Sequence, residues 1–217
     1  MNSVSLFEFL DFTKWILYGG VFILAVLKYP LYKRTPLKFL LIVLLLTLLT
    51  EFLGRYIRDV FGPPNAIIYN IYYVFYFSLL LYIFMKVIEI EKFKRYIKIG
   101  LGLYLLSYFR DWLFTDFIER GFLVSYFVGA GVLVFAIILY YISILQSSLV
   151  LVVKNDLLFW ISVGLFLFYI GYIPIKIIRT LFYEASTFFE LLMVIQISLV
   201  IIMYLFFLTG FLWMKKR

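Results

Sequence analysis

The chain has 217 residues, of which 66% are hydrophobic, 23% aromatic and 15% charged, and its formal net charge is +8. A soluble domain is about half apolar and about a quarter charged, and one of this length buries at most about 70% of its surface. The composition therefore excludes an ordinary soluble globular domain. Apolar segments of about 20 residues cross a bilayer core of about 30 Å, so we predict a helical membrane protein.

The sequence contains neither histidine nor cysteine. This excludes haem and zinc sites built on imidazole or thiolate, nucleophilic dyads that need histidine, and disulfides. A glycine-rich phosphate loop is also missing, and we expect no cofactor and no metal site. The basic residues lie in short loops between apolar segments, a placement typical of membrane orientation and not of nucleic-acid binding.

Taken in chain order, the apolar segments predict an all-α integral membrane protein, a seven-transmembrane-helix bundle that forms a single domain over residues 1–217. The predicted helices cover residues 12–29, 37–61, 66–86, 96–117, 122–145, 157–183 and 188–213. Thr35, Asn65 and Asp156 are predicted helix caps before the second, third and sixth spans. The fourth span is the least regular, because Arg110 and Asp111 lie inside it.

The distribution of lysine and arginine predicts the orientation, since cytoplasmic loops are enriched in both. One side collects thirteen of the 20 basic residues: Lys28, Lys33, Arg34, Lys38, Lys86, Lys92, Lys94, Arg95, Lys98, Lys154, Lys215, Lys216 and Arg217. The other side holds nine of the 12 acids. We therefore predict an extracytoplasmic N-terminus, a cytoplasmic C-terminus and a place in the bacterial cytoplasmic (inner) membrane.

Polar side chains recur in the predicted outer half of the spans. Ionisable groups near the bilayer centre cost at least about 2.5–3.5 kcal/mol each, so they usually face the bundle interior and are paired. The candidates for a ligand-binding site or a buried ion-pair network are Glu51, Arg55, Asn70, Tyr73, Arg110, Asp111, Tyr172, Lys176, Arg179 and Gln196.

Two interpretations of this polar layer stand side by side. It is either a pocket open to the outside, or a set of ion pairs, Glu51 with Arg55 and Asp111 with Arg110, that fixes helix register. A pocket would bind an acid through Arg55, Lys176 and Arg179, or a cation or proton through Glu51 and Asp111.

Small residues predict close helix packing on two other spans. They are Ser125, Gly129 and Ala136 on the fifth span and Gly164 and Gly171 on the sixth.

Three stretches, residues 50–56 (TEFLGRY), 69–72 (YNIY) and 156–171 (DLLFWISVGLFLFYIG), resemble a family of small bacterial membrane proteins. That family is similar in turn to the seven-helix sensing modules found ahead of some histidine kinases. The resemblance implies a sensing role, and since the sequence given ends at Arg217, it implies a separate partner protein for the output. It assigns no role to any single residue.

The leading hypothesis is a non-enzymatic, receptor-like or regulatory membrane subunit. Its predicted partners are the lipid bilayer, a small molecule from outside, and a membrane or cytoplasmic protein or a second copy of the chain. The alternative is a small transporter or an ion or proton pathway that uses Glu51 and Asp111. A lipid-active intramembrane enzyme with one of these acids as base is the third hypothesis.

Overall fold

A computed structural model describes residues 3–62, 65–147, 153–181 and 187–215, apart from the side chains of residues 3–5, 181 and 187. These residues form helices and no strands. The α-helices are α1 (Ser3–Leu27), α2 (Tyr29–Tyr32), α3 (Lys38–Phe61), α4 (Ala66–Val87), α5 (Glu91–Phe114), α6 (Leu123–Leu145), α7 (Leu157–Leu181) and α8 (Thr187–Trp213). The chain divides into two compact units, Met1–Leu31 with Leu151–Arg217 and Tyr32–Val150.

Six helical segments are long and apolar enough to cross a membrane: Leu6–Leu27, Lys38–Phe61, Ala66–Val87, Leu123–Leu145, Leu157–Thr180 and Phe188–Trp213. They confirm the prediction of a multi-pass, all-helical membrane protein.

The predicted fourth span is different in composition. Helix α5 carries several charged residues in its first turns and Arg110 and Asp111 near its end. Its uncharged stretch, 99–109, is shorter than the about 20 residues that cross a bilayer core.

Two helices begin earlier than their apolar segments predict. Helix α1 begins at Ser3 and α5 at Glu91. An i, i+3 ion pair joins the extension of α1 to its predicted span, Lys14 with Asp11 at 2.7 Å, and another lies within the extension of α5, Lys94 with Glu91 at 2.6 Å. Such pairs favour helix, so the charged residues continue the helix beyond its apolar part. The predicted end of the sixth span at 183 lies outside the described residues.

The predicted helix caps have different outcomes. Asp156 is a cap, because its Oδ1 accepts the Leu158 N–H at 3.1 Å. The prediction that Thr35 is the N-cap of α3 is wrong, because Leu37 is in that position; Thr35 Oγ1 instead accepts the Leu37 N–H at 3.2 Å in the turn before α3. The side-chain cap predicted for Asn65 is wrong: Asn65 precedes α4, but its amide donates to the Gly54 carbonyl of α3 at 3.1 Å.

Glycines allow the helices of the first unit to pack closely. Helix α8 contacts both α7 and α1. A Cβ atom on Gly164 would lie 2.8 Å from the Met203 carbonyl oxygen, and one on Gly171 would lie 2.8 Å from the Leu199 side chain. A larger residue at Gly164 would clash with backbone, and one at Gly171 would force the Leu199 side chain to move, so the two glycines allow the predicted close packing, here of α7 against α8.

In the second unit, α4 contacts α3, α5 and α6. The small residues of the predicted packing strip on α6, Ser125, Gly129 and Ala136, are all buried. A Cβ atom on Gly129 would lie 2.8 Å from the Phe77 ring. The predicted packing strip is therefore confirmed, and it allows side chains of α4 and α5 to reach the start of α6.

Candidate functional site

Asp111 is a buried carboxylate near the end of α5. Only 1% of its side chain is exposed, and its Oδ2 accepts the Ser125 N–H at 2.8 Å. Ser125 lies in the first turn of α6, where backbone N–H groups have no partner within the helix. Asp111 therefore caps a neighbouring helix, a position in which the helix dipole also favours a negative charge.

Arg110 neutralises this carboxylate from the surface. Its Nη1 donates to Asp111 Oδ1 at 2.8 Å, while 54% of the arginine side chain is exposed. The ion pair predicted between these two residues is present. Both carboxylate oxygens of Asp111 thus have a hydrogen-bond donor, which favours a structural role over that of a proton relay.

Asn70 is the second buried polar group of this unit, and it is fully buried. Its amide nitrogen donates to the carbonyl oxygens of Phe117 and Arg120, both at 2.9 Å. Its amide oxygen accepts the Phe122 N–H at 2.9 Å. One side chain near the start of α4 therefore binds three backbone groups of the connection between α5 and α6.

Tyrosines join the same helices around Asn70. Tyr104 Oη donates to the Tyr73 carbonyl oxygen at 2.8 Å, and Tyr108 Oη donates to the Asn70 carbonyl oxygen at 3.3 Å. The Tyr73 ring lies 4.9 Å from the Tyr126 ring in an edge-to-face contact. We call Asn70, Tyr73, Arg110 and Asp111, with these partners, the Asn70–Asp111 cluster.

The charged residues of α3 form a more exposed group. Arg55 Nε lies 3.9 Å from an Asp59 oxygen, and about half of each side chain is exposed. Arg58 Nε lies 3.5 Å from the same carboxylate. Glu51, one turn before Arg55, is half-buried. Exposed ion pairs contribute little to stability, typically about 0–1 kcal/mol.

The four remaining candidates lie on α7 and α8, in the first unit. The Arg179 guanidinium donates to Gln196 Oε1 and lies over the Phe189 ring at 4.9 Å. Lys176 is one turn earlier on α7, on the face that Arg179 also occupies. Tyr172 is buried and stacks on Phe168 with a ring separation of 5.1 Å. We call Tyr172, Lys176, Arg179 and Gln196 the Arg179–Gln196 group.

The predicted polar layer is therefore divided between the two units. Asn70, Tyr73, Arg110 and Asp111 belong to one connected cluster, whereas Glu51 and Arg55 lie on α3 of the same unit. Tyr172, Lys176, Arg179 and Gln196 belong to the other unit.

The connection between α5 and α6 contains its own capping acid. Asp116 Oδ1 accepts the N–H groups of Ile118 and Glu119 at 2.9 and 3.0 Å. These bonds stabilise the ionised form, so the pKa of this carboxyl lies below its ordinary value. Sequence analysis did not select Asp116, although an acid that follows a helix end is typical of such turns.

In the described ranges, no group of three or more Asp or Glu side chains lies together in a way that could hold a metal ion. The groups in this cluster that the sequence does not reveal are backbone partners: the Ser125 and Phe122 N–H groups and the carbonyls of residues 117 and 120. No side-chain pattern marks them, because they depend on how the helices approach one another.

Comparison of the chain with protein-family models, with curated proteins and with solved structures finds no match. The function must therefore be inferred from the two polar groups themselves.

Proposed function

We propose that the chain is a seven-span receptor-like or regulatory protein of the bacterial cytoplasmic membrane, and that it binds a small anion at the extracytoplasmic end of α7 and α8. It performs no catalysis in this proposal. The bound anion changes how the protein contacts a partner protein or a second copy of the chain, and this coupling remains a prediction.

In this proposal α5 also crosses the bilayer, which brings the number of spans to seven. Helix α5 follows α4 after a short link, and its Tyr104 and Tyr108 bind α4 carbonyls at Tyr73 and Asn70. Asn70 lies in the second turn of α4 and binds the connection that follows α5. Helix α5 thus runs back along α4 from one end to the other. If α4 crosses the bilayer, α5 crosses it too, with its charged residues near the two interfaces.

The distribution of lysine and arginine supports the orientation. Seven alternating spans put the N-terminus, the connection 115–122 and the end of α7 on one side, and the basic-rich loops on the other. Because basic-rich loops stay in the cytoplasm, the Arg179–Gln196 group lies near the extracytoplasmic surface, where a small molecule from outside can reach it.

One observation carries the binding proposal: the Arg179 guanidinium is held by two neutral groups. Gln196 accepts one of its hydrogen bonds and the Phe189 ring lies beneath it. Within the described residues Arg179 forms no ion pair, so its charge is available to an acid, and Lys176 adds a second cation on the same face. Arginine binds carboxylate and phosphate oxygens through paired N–H donors.

The test is thermal unfolding of the purified full chain in neutral detergent, with sodium succinate and sodium phosphate as probe anions and sodium chloride at matched ionic strength. We expect at least one probe to raise the unfolding temperature of the wild type. Arg179→Gln should abolish the shift, and Arg58→Gln, a matched loss of one exposed arginine on α3, should preserve it. An equal shift in Arg179→Gln, or no shift in the wild type with either probe, would contradict the proposal.

A further inference from the structure

The opposite end of the second unit, at the start of α3 and the end of α4, contains two lysines that flank a pair of aromatic rings. The Phe39 and Tyr82 rings meet edge to face at 5.3 Å between centroids. Lys38 Nζ lies 5.1 Å from the Phe39 centroid, and Lys86 Nζ lies 5.6 Å from the Tyr82 centroid. Each ring of this partly exposed pair, which bridges the two helices, therefore carries one ammonium group.

Both ammonium groups are available to a ligand. Lys38 and Lys86 are exposed, and neither forms an ion pair within the described ranges of the chain. Their contacts with Phe39 and Tyr82 orient the side chains without neutralising them. Lysine and aromatic rings together are typical of the interface between the apolar core of a bilayer and its headgroups.

The surroundings add a strong excess of positive charge. Lys33 and Arg34 precede α3, and the first turns of α5 contribute four more cations, Lys92, Lys94, Arg95 and Lys98. The acids at this end are Glu89 and Glu91, and Glu91 is already bound by Lys94 at 2.6 Å. An anion at the Phe39–Tyr82 ring pair therefore lies in a field of mostly uncompensated positive charge.

An exposed apolar stripe begins at the same place. Ile42, Leu45 and Leu49 follow Lys38 at i+4, i+7 and i+11, so they lie on the same face of α3. Their exposed fractions are 44%, 39% and 46%. An acidic protein segment or a soluble anion would match the lysines but leave this stripe without a partner. A lipid matches both features, with a charged headgroup at the lysines and acyl chains along the stripe.

We propose that Lys38 and Lys86 bind the phosphate of an anionic phospholipid whose acyl chains lie along the exposed stripe of α3. Basic sites between transmembrane helices on the cytoplasmic side are suited to anionic headgroups. The remaining cations of this end attract the same lipid class to the site. The inference depends on α3 and α4 as membrane spans and is independent of anion binding at Arg179.

The experiment counts bound lipids by native mass spectrometry on the full chain in neutral detergent. Dioleoyl phosphatidylglycerol and dioleoyl phosphatidylcholine are titrated separately, so the two lipids differ only in headgroup. We expect tighter binding of phosphatidylglycerol. Each lysine removed should weaken that binding about fivefold, so Lys38→Gln/Lys86→Gln should bind phosphatidylglycerol much like phosphatidylcholine.

Two matched variants separate the site from net charge and folding. Arg58→Gln/Arg120→Gln removes two exposed cations from the other end of the unit and should keep the preference for phosphatidylglycerol, and Lys38→Arg/Lys86→Arg should keep it as well. Each variant is first required to elute as the wild type does in size-exclusion chromatography.

Three results would overturn the proposal. The first is an unchanged preference in Lys38→Gln/Lys86→Gln, and the second is an equal loss in Arg58→Gln/Arg120→Gln. The third is displacement of bound phosphatidylglycerol by equimolar sodium phosphate or hexaglutamate. Displacement by phosphate would identify a site for soluble anions, and displacement by hexaglutamate would identify one for an acidic protein segment.

Discussion

The Asn70–Asp111 cluster and the Arg179–Gln196 group both place costly polar groups on membrane helices, but they satisfy them differently. In the cluster, a carboxylate and an amide bind backbone groups at the start of α6 and in the connection before it. In the group, a guanidinium is held by a neutral amide and an aromatic ring. The comparison indicates that the first set is structural, whereas the second keeps a guanidinium without an ion pair in the described residues, which is the basis of our binding proposal.

The largest expected effect is that of Asn70→Ala. The substitution leaves three backbone groups without the hydrogen bonds that Asn70 provides, and each buried group left unsatisfied costs about 1–3 kcal/mol. We expect the free energy of unfolding to fall by about 3 kcal/mol or more, measured by denaturant titration in micelles. Asn65→Ala, which removes a single bond to Gly54, is the matched control and should cost about 1 kcal/mol. Equal costs would refute the structural role of Asn70.

Asp111→Ala should have the second largest effect. It should lower the free energy of unfolding by about 2 kcal/mol, because it removes the cap from α6. Asp111→Asn should cost less, since an amide oxygen can still accept the Ser125 N–H. The same variants test the alternative of an ion pathway. If the wild type supports proton flux into liposomes and Asp111→Asn abolishes that flux at unchanged stability, this carboxylate has a transport role.

Gln196→Leu should have a smaller effect on stability, about 1 kcal/mol, because it removes one partly exposed hydrogen bond. It should nevertheless reduce the anion-dependent shift in unfolding temperature, because Arg179 loses the amide that orients it. Ser198→Ala on the same helix removes only a bond to the Val194 carbonyl, and it should leave the shift intact. A full shift in Gln196→Leu would separate Gln196 from the binding site.

The substitution Asp116→Ala should have the smallest effect on the free energy of unfolding, because Asp116 lies at the protein surface. Its pKa is lowered in the folded state by two backbone N–H groups, so the ionised carboxylate stabilises the fold above the ordinary pKa of about 3.9. This contribution is lost as the pH falls from there through the lower folded-state pKa. At neutral pH the free energy of unfolding should be higher for the wild type than for Asp116→Ala. This difference should disappear when unfolding is measured at acidic pH. A constant difference would contradict the prediction.

The parts of this molecule that follow from local sequence were predictable. Hydropathy identified six of the helices because each of these spans is largely apolar along its length, and the residue spacing identified the glycines that α7 presents to α8. The adjacency of Arg110 and Asp111 predicted their ion pair. The cap that Asp111 provides to α6 and the three bonds of Asn70 could not be predicted, because their partners are backbone groups on other elements. That the polar groups share one layer stays a prediction, because they belong to two units of the chain.

Helix α5 determines on which side of the membrane the Arg179–Gln196 group lies, so its crossing is tested most directly by labelling. The chain contains no cysteine, and single substitutions at the exposed Glu8, Glu190 and Lys215 report the two sides of the membrane. With seven spans, Glu8→Cys and Glu190→Cys react with an impermeant maleimide from outside, and Lys215→Cys reacts only after permeabilisation. Labelling of Glu8→Cys and Lys215→Cys with protection of Glu190→Cys would show that α5 does not cross and would contradict the account.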